Sequence, residues 1–487
     1  MLSPPPEATV VDTGGDSDKE VLVTDTYRLT DRYTADSGTV FMTGIQALAR
    51  LPIEQLRADR ANGLQTAAFA AGYPGSPLGG YDSAVDAARK QVPDLPFEHV
   101  HSVNEEHAAT AVMGTQLACT RPDARYDGVI GLWYGKAPGI DRASDAMRHA
   151  VFAGTDPNGG AVALVGDDPL AKSSTVPSSS AGTLADMHIP VLYPGTPTEA
   201  LDLGRHAIAM SRATGLWAGL KIVADVADGS SNVDLDAHRV QPILPLVDGK
   251  PYAHLPDGAL VPPHIIELER EIYEVRYNLV VEYGALNNLN HTTVDPSDAW
   301  IGIVSSGITY CEVREALSRL GLETDHDIAS AGIRLLKLQM PLPFNFPKIQ
   351  SFARGLDEIL VLEEKHPNVE SLIKDALYNQ AVRPIVVGKT DELGKTLTPS
   401  HGALTADQLI RGLRARLTPK LGDRIRPARP EREMIPLAIN RTPFFCSGCP
   451  HNRSTVVDEG TLVGAGIGCH TMVMLQDNER FGDVAGL

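Results

Sequence analysis

The chain has 487 residues, of which 43% are apolar and 21% charged, so it is long enough for about three domains and too ordinary in composition for a disordered or fibrous protein. Its 43 basic residues stand against 61 acidic ones, and the formal charge of −18 argues against nucleic acid as the main partner. Five cysteines are too few for a disulfide framework, and because the sequence shows neither a secretory signal nor a long apolar run, we expect a cytoplasmic protein without a membrane segment.

The first half of the chain predicts a loose arm followed by an α/β domain. Residues 1–37 begin with a stretch rich in Pro, Gly, Asp and Thr, which buries too little apolar surface to offset the entropy of ordering. Residues 38–228 alternate apolar runs with helical patterns, which is typical of parallel strands buried on both faces. The predicted strands are Thr66–Ala70, Val129–Tyr134, Ala161–Val165, Pro190–Leu192 and Ala218–Val223. Thr196, Pro197 and Glu199 predict a helix start with a capping box.

The second half predicts two further units joined by linkers. Residues 229–298 contain scattered Pro and Asn and one helical pattern, His264–Tyr277, and we interpret them as a linker or insert. Residues 299–410 predict a smaller α/β domain, and the Pro- and Arg-rich residues 411–441 predict a solvated basic linker. The elements predicted for the smaller domain are a strand Ile301–Ser305, a turn at Gly307, a helix Cys311–Leu320, and strands at Leu335–Leu338 and Ile359–Leu362. A third unit, 442–487, stops inside an apolar, glycine-bearing stretch, so we expect the sequence to end within a domain.

Three of the five cysteines lie close together in the third unit. Cys446 and Cys449 form a C-x-x-C pair, and Cys469 follows after a glycine-rich loop. Thiolates on one turn suit zinc or an iron-sulfur cluster, because soft sulfur ligands favour both. A fourth ligand from His451 or His470 would complete a zinc site, whereas a fourth cysteine would favour a [4Fe-4S] cluster. Zinc, iron-sulfur and a purely structural role as buried cysteines all stay open at this point.

Two glycine-rich loops could bring their backbones close to a ligand. The loop 71–80 follows a predicted strand and leads into a helix, so its N–H groups could bind an anion or a substrate carboxylate. The loop 464–468 lies beside the cysteines and could approach a diphosphate. Glycine and proline are also the residues of ordinary sharp turns, so a structural role is the alternative for both loops.

An acidic helix start is a third candidate. Glu105 and Glu106 follow Asn104 and precede a helical pattern rich in alanine. Acidic residues favour a helix N-terminus through its dipole, which is the simpler interpretation. A buried glutamate at such a position could instead exchange a proton with a heterocycle.

Charged residues also follow predicted strands, at the edge where open α/β sheets bind ligands. Lys136 comes after the second of these strands, Val129–Tyr134, and could pair with a carboxylate or lie in solvent. Asp167 and Asp168 follow the next strand. Glu363 and Glu364 end a strand of the smaller domain, where we expect a solvated or structural role.

Seven motifs in a definite order cover almost all of the chain after the arm. They are Tyr73-Pro-Gly-Ser-Pro77, Asn104-Glu105, Gly166-Asp-Asp-Pro169 with Ser173-Ser174, Ser306-Gly-Ile-Thr-Tyr310, Met340-Pro-Leu-Pro343, Val361-Leu-Glu-Glu364 and the segment from Phe445 to His470. Together they resemble the indolepyruvate branch of the 2-oxoacid:ferredoxin oxidoreductases. Ser76 stands where that branch usually has threonine.

The resemblance implies a fold and a reaction. The fold would be α/β and multidomain, of thiamine-diphosphate-binding type, with residues 38–228 as the pyrimidine-side domain, 299–410 as a transketolase-C-like domain and 442–487 as the start of the pyrophosphate-side domain. The reaction would be oxidative decarboxylation of an aryl or other 2-oxoacid, such as indolepyruvate, with coenzyme A, giving an acyl-CoA, carbon dioxide and electrons for ferredoxin. A homo- or hetero-oligomer is implied. The identity of the 2-oxoacid stays open.

The resemblance also implies roles for individual residues. Glu105 would be catalytic, through contact with the aminopyrimidine ring of thiamine diphosphate. The residues implied in substrate binding are Tyr73, Gly75, Ser76 and Lys136. Those implied near the diphosphate are Gly466, Gly468 and His470, and those implied to hold a [4Fe-4S] cluster are Cys446, Cys449 and Cys469. The Mg²⁺ site is expected mostly beyond Leu487.

Two other functions fit the residues. The chain could be a non-catalytic subunit stabilised by zinc on the cysteines and His470. It could also be a thiamine-dependent lyase or synthase that transfers no electrons.

Overall fold

The computed structural model describes residues 27–171, 176–236, 239–381, 383–428, 442–466, 468–476 and 482–486. The amino-terminal elements are α1 (Asp31–Thr34), β1 (Gly38–Thr43), α2 (Gly44–Ala61), β2 (Thr66–Gly72), α3 (Tyr81–Gln91), β3 (Phe97–His101), α4 (Glu105–Ala118), β4 (Gly128–Lys136), α5 (Ala137–Ala153), β5 (Ala161–Asp167), α6 (Ala181–Asp186), β6 (Val191–Leu192), α7 (Pro197–Thr214), β7 (Ala218–Val223), α8 (Ala224–Asp228) and β8 (Ser230–Leu235).

The later elements form a second unit and a small third one. A segment that follows the first unit contains β9 (Leu246–Val247), β10 (Lys250–Pro251), α9 (His264–Glu271), a π-helical turn (Ile272–Arg276) and α10 (Tyr277–Leu286), and Ile272, Val280 and Tyr283 of this segment belong to the core of the first unit. The elements of the second unit are β11 (Asn290–Val294), β12 (Ile301–Ser306), α11 (Gly307–Arg319), α12 (Asp325–Ser330), β13 (Ile333–Leu338), α13 (Phe346–Phe352), β14 (Glu358–Leu362), α14 (Asn368–Tyr378), β15 (Ile385–Val387), α15 (Ala406–Leu421) and a 3-10 turn (Gly422–Arg424). Those of the third are α16 (His451–Ser454), β16 (Leu462–Ala465), a 3-10 turn (Cys469–Leu475) and β17 (Asp483–Gly486).

A six-stranded sheet forms the centre of the first unit. All of its strands are parallel, in the order β3-β2-β4-β5-β7-β6. The central strands β5 and β7 are buried along their whole length, as their continuous apolar sequences require. The predicted α/β class is therefore confirmed. The strand β3 was not predicted from the sequence. The antiparallel pair β1–β8, which joins the first and last strands of this unit, was not predicted either.

A five-stranded sheet forms the second unit, in the order β11-β13-β12-β14-β15. Its strands are parallel except β11, which pairs antiparallel with β13. The residues 229–298, interpreted as a linker or insert, thus contribute β8 to the first unit and β11 to this sheet. The basic segment 411–441 begins inside α15, whose Arg416 forms a two-point ion pair with Glu358 at the start of β14. The expected solvated basic face is therefore partly a packed helix.

Several predicted helix boundaries shift. The helix expected at 311–320 starts at Gly307, where a turn was predicted, and the pattern 264–277 continues through a π-helical turn to Leu286. At α7 the Thr196 hydroxyl accepts the Glu199 N–H, but the Glu199 carboxylate accepts the Gly195 N–H rather than completing the predicted capping box. The other carboxylate oxygen of Glu199 pairs with Lys337 of β13, so this side chain joins the start of α7 to the second unit.

The edge strand β6 is joined to the second unit through backbone hydrogen bonds. The Val191 N–H donates to the Leu342 carbonyl oxygen (2.7 Å), and the Tyr193 N–H donates to the Gln339 carbonyl oxygen (2.8 Å). The segment after β13 therefore runs beside this edge of the first sheet. None of the helices in the described ranges combines the length and apolar character needed to span a bilayer.

Candidate active site

A pocket of about 390 Å³ opens at the carboxyl ends of strands β2, β3 and β4. Its lining residues are Tyr73, Val103, Asn104, Glu105, Lys136, Pro138, Gly139 and Arg142. Three of the residues singled out in the sequence, Tyr73, Glu105 and Lys136, thus share one cavity although they are far apart in the chain. Tyr73 is exposed at the pocket, and Glu105 is buried.

Glu105 is held at the first turn of α4. The Asn104 side chain caps this helix by accepting the His107 N–H at 2.8 Å, and the Trp133 indole N–H donates to the Glu105 carbonyl oxygen at 2.9 Å. The side chain of Glu105 is 8% exposed, and within the described part of the chain its carboxylate has no hydrogen-bond or ion-pair partner. The neighbouring Glu106 is exposed. A buried carboxylate without a protein partner is costly unless a ligand or water satisfies it.

The helices α4 and α5 approach closely beside this carboxylate. A Cβ atom on Gly139 would lie 2.7 Å from Cγ and 2.8 Å from Oε1 of Glu105. On the sheet side, a Cβ atom on Gly131 of β4 would lie 2.7 Å from a methyl carbon of Val112. The glycines on α5 and β4 therefore allow α4 to pack tightly against both neighbours.

Lys136 ends β4 and precedes the first turn of α5. Its side chain is half-buried. Among the described residues, none provides a hydrogen-bond acceptor for the ammonium group or a carboxylate within 4.0 Å of it. The aliphatic part of the side chain packs beside Gly75, where an added Cβ atom would lie 3.1 Å from Cδ of the lysine. The backbone of the loop 71–80 thus contacts the side chain that was predicted to act with it.

The cysteine segment forms a small folded unit around Phe445, Ala465 and Val473. The Cys449 N–H donates to the Cys446 carbonyl oxygen at 3.0 Å, so the C-x-x-C pair lies on one turn. The thiols of Cys446 and Cys469 are exposed and that of Cys449 is half-buried. All three thiols are therefore accessible to a metal.

Histidines lie beside these cysteines. The Cys449 sulfur is 3.2 Å from Nδ1 of His451, and the His451 ring stacks on that of His470 with centroids 6.0 Å apart. A zinc site with Zn–S bonds of about 2.3 Å brings its ligand atoms to within about 4 Å of one another. In the described ranges, the cysteines are not part of any such group of three ligand atoms within 4.8 Å.

The predicted diphosphate loop lies between β16 and the 3-10 turn. Gly468 has a φ of +133°, a backbone conformation that favours glycine. The Gly466 carbonyl oxygen accepts the hydroxyl of Thr471, and Ile467 lies outside the described residues. Gly468 therefore has a structural role in this turn, because its positive φ favours glycine.

Comparison with known proteins shows which proteins the chain is similar to. Residues 291–426 match the family described as the indolepyruvate oxidoreductase domain. The chain is 27% identical over 449 residues to the indolepyruvate oxidoreductase subunit IorA of Thermococcus kodakarensis, which covers 90% of this chain and 62% of the relative. It is 25% identical to the subunit of the same name from Archaeoglobus fulgidus, covering 90% and 64%. The resemblance to the indolepyruvate oxidoreductases is confirmed.

The chain spans about three fifths of the length of the curated IorA relatives it matches. Among solved structures, it is similar to a 2-oxoglutarate:ferredoxin oxidoreductase from Magnetococcus marinus, with a TM-score of 0.55 and 14% identity over 78% of this chain and 66% of that one. At this identity the likeness concerns the fold, and it confirms the predicted class of parallel α/β sheets.

The segment Gly166-Asp-Asp-Pro169 lies at the carboxyl end of β5, where Gly166 pairs with Lys136 of β4. Ser76 is not among the pocket-lining residues, and its hydroxyl donates to Asp168 at 3.4 Å. Asp167 is buried, pairs with Lys221 at 3.3 Å and accepts the Ser180 N–H. These contacts give the two aspartates structural partners. Ser173 and Ser174 lie outside the described residues.

Glu363 and Glu364 support the backbone of the second unit. The Glu363 carboxylate accepts the N–H groups of Val369 and Glu370 at 2.9 Å each, and burial raises its pKa to about 7. Glu364 accepts the Leu404 N–H at 3.1 Å. Both glutamates therefore hold main-chain donors, which is the structural role expected for them.

Gly139 and Arg142 are among the pocket residues that were not found from the sequence. Gly139 controls how closely α5 approaches Glu105, and Arg142 adds a second cationic side chain to the lining. For Arg142 a usable signal was present, because Pro138 predicts a helix that starts directly after Lys136 and carries Arg142 near its beginning.

Proposed function

We propose that this chain contributes the substrate-side part of an active site for the thiamine-diphosphate-dependent oxidative decarboxylation of a 2-oxoacid. The observation that carries the proposal is the buried carboxylate of Glu105, which has no protein partner in the described residues and faces the same pocket as the free ammonium group of Lys136. The names of the relatives support an oxidoreductase. An aryl 2-oxoacid such as indolepyruvate is the proposed substrate, with acyl-CoA and carbon dioxide as products.

The residues of the pocket fit the aminopyrimidine ring of thiamine diphosphate. Glu105 would hold the cofactor through a hydrogen bond to a ring nitrogen, and the missing side chain of Gly139 leaves its carboxylate uncovered. When bound, thiamine diphosphate supplies the electron sink for decarboxylation. The contribution of Glu105 is to hold and exchange a proton at its carboxylate, out of contact with most of the solvent.

The positively charged side chains of the pocket would bind the substrate. Lys136 would form a charge-assisted hydrogen bond with the carboxylate of the 2-oxoacid, and Arg142 would increase the positive potential at the pocket. The exposed ring of Tyr73 offers an apolar surface for an aryl side chain. Gly75 and Ser76 would position the loop against Lys136 and Asp168, respectively.

The cysteine unit would carry the electrons. Cys446, Cys449 and Cys469 provide accessible thiols on one turn and one neighbouring loop, a donor set that suits a [4Fe-4S] cluster, and a further group would supply the fourth ligand. The loop at Gly466, Gly468 and His470 would approach the diphosphate, with Mg²⁺ bound mostly by other residues. Ferredoxin would accept the electrons, and the working enzyme would be a cytoplasmic oligomer.

The domain roles follow the same proposal. Residues 38–228 would form the pyrimidine-side domain and 299–410 the transketolase-C-like domain. Residues 442–487 would form the start of the pyrophosphate-side domain.

The test is an anaerobic assay of the protein purified from its native source. Indolepyruvate, phenylpyruvate and a branched 2-oxoacid would be supplied in turn with coenzyme A, thiamine diphosphate and a low-potential one-electron acceptor. We expect release of carbon dioxide coupled to reduction of the acceptor. Release of carbon dioxide without reduction of the acceptor would instead indicate a lyase. Bound zinc without iron, together with no turnover of any 2-oxoacid, would indicate the non-catalytic subunit.

A further inference from the structure

Two aspartates and two histidines face each other at the β3 edge of the first sheet. Asp82 and Asp86 are four residues apart on α3, so they lie on one face of that helix. His99 and His101 are two residues apart on β3, so their side chains lie on one face of the strand. The helix face and the strand face meet, which brings four potential metal ligands together on regular secondary structure.

The distances between these side chains match those in a first coordination shell. Nδ1 of His99 is 2.9 Å from Oδ1 of Asp86, and Nε2 of His101 is 3.3 Å from Oδ2 of Asp86. Asp82 approaches the other ring nitrogen of His101, with Oδ2 of Asp82 3.9 Å from Nδ1, so its carboxylate is not part of this set of ligand atoms. Two bonds of about 2.0 to 2.1 Å at a tetrahedral angle place their ligand atoms about 3.3 Å apart. Asp86, His99 and His101 have ligand atoms that all lie within 4.8 Å of one another.

A further residue orients the buried histidine. The side chain of His99 is fully buried, while that of His101 is 61% exposed. Nε2 of His99 lies 3.0 Å from the hydroxyl oxygen of Tyr134 on β4. A histidine that ligates a metal through one nitrogen usually donates the N–H of the other to a fixed acceptor. The Tyr134 hydroxyl can accept that bond, which leaves Nδ1 of His99 directed at Asp86.

We propose that Asp86, His99 and His101 bind one divalent transition-metal ion, with water at the remaining position, and that zinc suits the site best. Two imidazoles with one carboxylate form a donor set for zinc rather than for calcium or magnesium, which prefer oxygen ligands alone. The exposed His101 leaves the site open to ions from solution. The bound ion would join the edge strand β3 to α3. The site is separate from the pocket proposed above, so it stands or falls independently of the proposed reaction.

The test measures zinc binding in the full chain with Cys446, Cys449 and Cys469 each replaced by serine, so that thiolates do not contribute. After removal of metal by a chelator, zinc is titrated in competition with a chromophoric indicator. We expect one zinc ion per chain and a higher midpoint of thermal unfolding in zinc, because the ion binds the folded state. The cobalt-substituted protein should show the visible spectrum of a four-coordinate nitrogen and oxygen site, without a sulfur charge-transfer band.

Variants separate this site from adventitious binding. His101→Ala and Asp86→Asn should each weaken zinc affinity by roughly a hundredfold, and Tyr134→Phe, which removes only the outer hydrogen bond, by about tenfold. The control is His149→Ala, because His149 is an exposed histidine that lies near a single aspartate, Asp145, and it should leave affinity unchanged. No binding at submillimolar zinc, or binding that His101→Ala and Asp86→Asn leave intact, would overturn the proposal.

Discussion

Gly139 and Glu105 lie so close together that any side chain on the glycine would collide with the carboxylate: an added Cβ atom would be 2.8 Å from Oε1. We therefore expect Gly139→Ala to displace Glu105, to lower turnover strongly and to cost about 1 to 3 kcal/mol in the free energy of unfolding. Gly114→Ala is the matched control, because Gly114 lies in α4 with no atom within 4 Å of an added Cβ. That variant should gain about 0.5 to 1 kcal/mol. Urea unfolding measures the free energy of unfolding, and the decarboxylation assay measures turnover. If the two variants have the same stability and the same turnover, Gly139 does not control the position of Glu105.

Replacing Glu105 with glutamine should remove turnover and leave the fold intact. The amide keeps the shape of the carboxylate but cannot act as a proton donor and acceptor in its place. Circular dichroism would check the fold, and carbon dioxide release would check activity. Glu106→Gln is the control, since Glu106 is exposed one residue further along. Full activity in the Glu105 variant would refute its proposed role.

Replacing Lys136 with glutamine should weaken use of the 2-oxoacid. The loss of a hydrogen bond between charged groups costs about 1.5 to 3 kcal/mol, which corresponds to a fall in kcat/KM of roughly 10- to 150-fold. Lys90→Gln on the exposed face of α3 removes the same charge away from the pocket. The assignment fails if both variants show the same kcat/KM as the wild type.

His206 should make stability depend on pH below neutrality. Burial lowers the pKa of this histidine to about 4, and its Nδ1 lies 2.9 Å from the Tyr283 hydroxyl oxygen. Between about pH 6.5 and 4 the unfolded chain binds the proton and the folded chain does not, so stability is lost as the pH falls through this window. We expect His206→Gln to remove a loss on the order of 2 kcal/mol between pH 7 and pH 4.5.

The measurement is the free energy of unfolding at several pH values in that range. His401→Gln is the control, because His401 is exposed. If the difference in free energy of unfolding between the wild type and the His206 variant is the same at all pH values, the histidine is not held neutral by burial.

Iron binding should depend on the clustered cysteines and not on the others. Anaerobic reconstitution with iron and sulfide is expected to yield a chain that contains both, and serine at Cys446, Cys449 or Cys469 should lower the content sharply, because each substitution removes a thiolate ligand. Cys119→Ser is the control, since Cys119 lies at the end of α4 and its thiol donates to the Thr115 carbonyl oxygen. Iron analysis and the visible spectrum report the result, and equal iron content in all variants would contradict the assignment.

The strands of the first sheet could be predicted where burial leaves a continuous apolar sequence. The predicted strand 218–223 coincides with β7, which is buried at every position. The strand β3 could not be found in this way, because Glu98 and Val100 are exposed at the edge of the sheet. Its identity as a strand depends on pairing with β2, a contact between segments that a local pattern does not contain.

The pocket was predictable in its charges and not in its shape. Glu105 and Lys136 could be singled out because one begins a predicted helix and the other follows a predicted strand, at the edge where open α/β sheets bind ligands. Gly139 could not, because its importance arises from the distance between α4 and α5. A glycine in a helix sequence shows no sign of the side chain that it must avoid.

The backbone bonds from Val191 and Tyr193 to the segment 339–342 affect how the molecule can move and aggregate. An unpaired edge strand is a template for the association of chains, and here the covering segment comes from the second unit. If that unit moved away, the two backbone hydrogen bonds to the edge of the first sheet would break. The Lys337–Glu199 ion pair between the units would break as well. The two sheets should therefore open together during unfolding instead of acting as independent halves on a hinge.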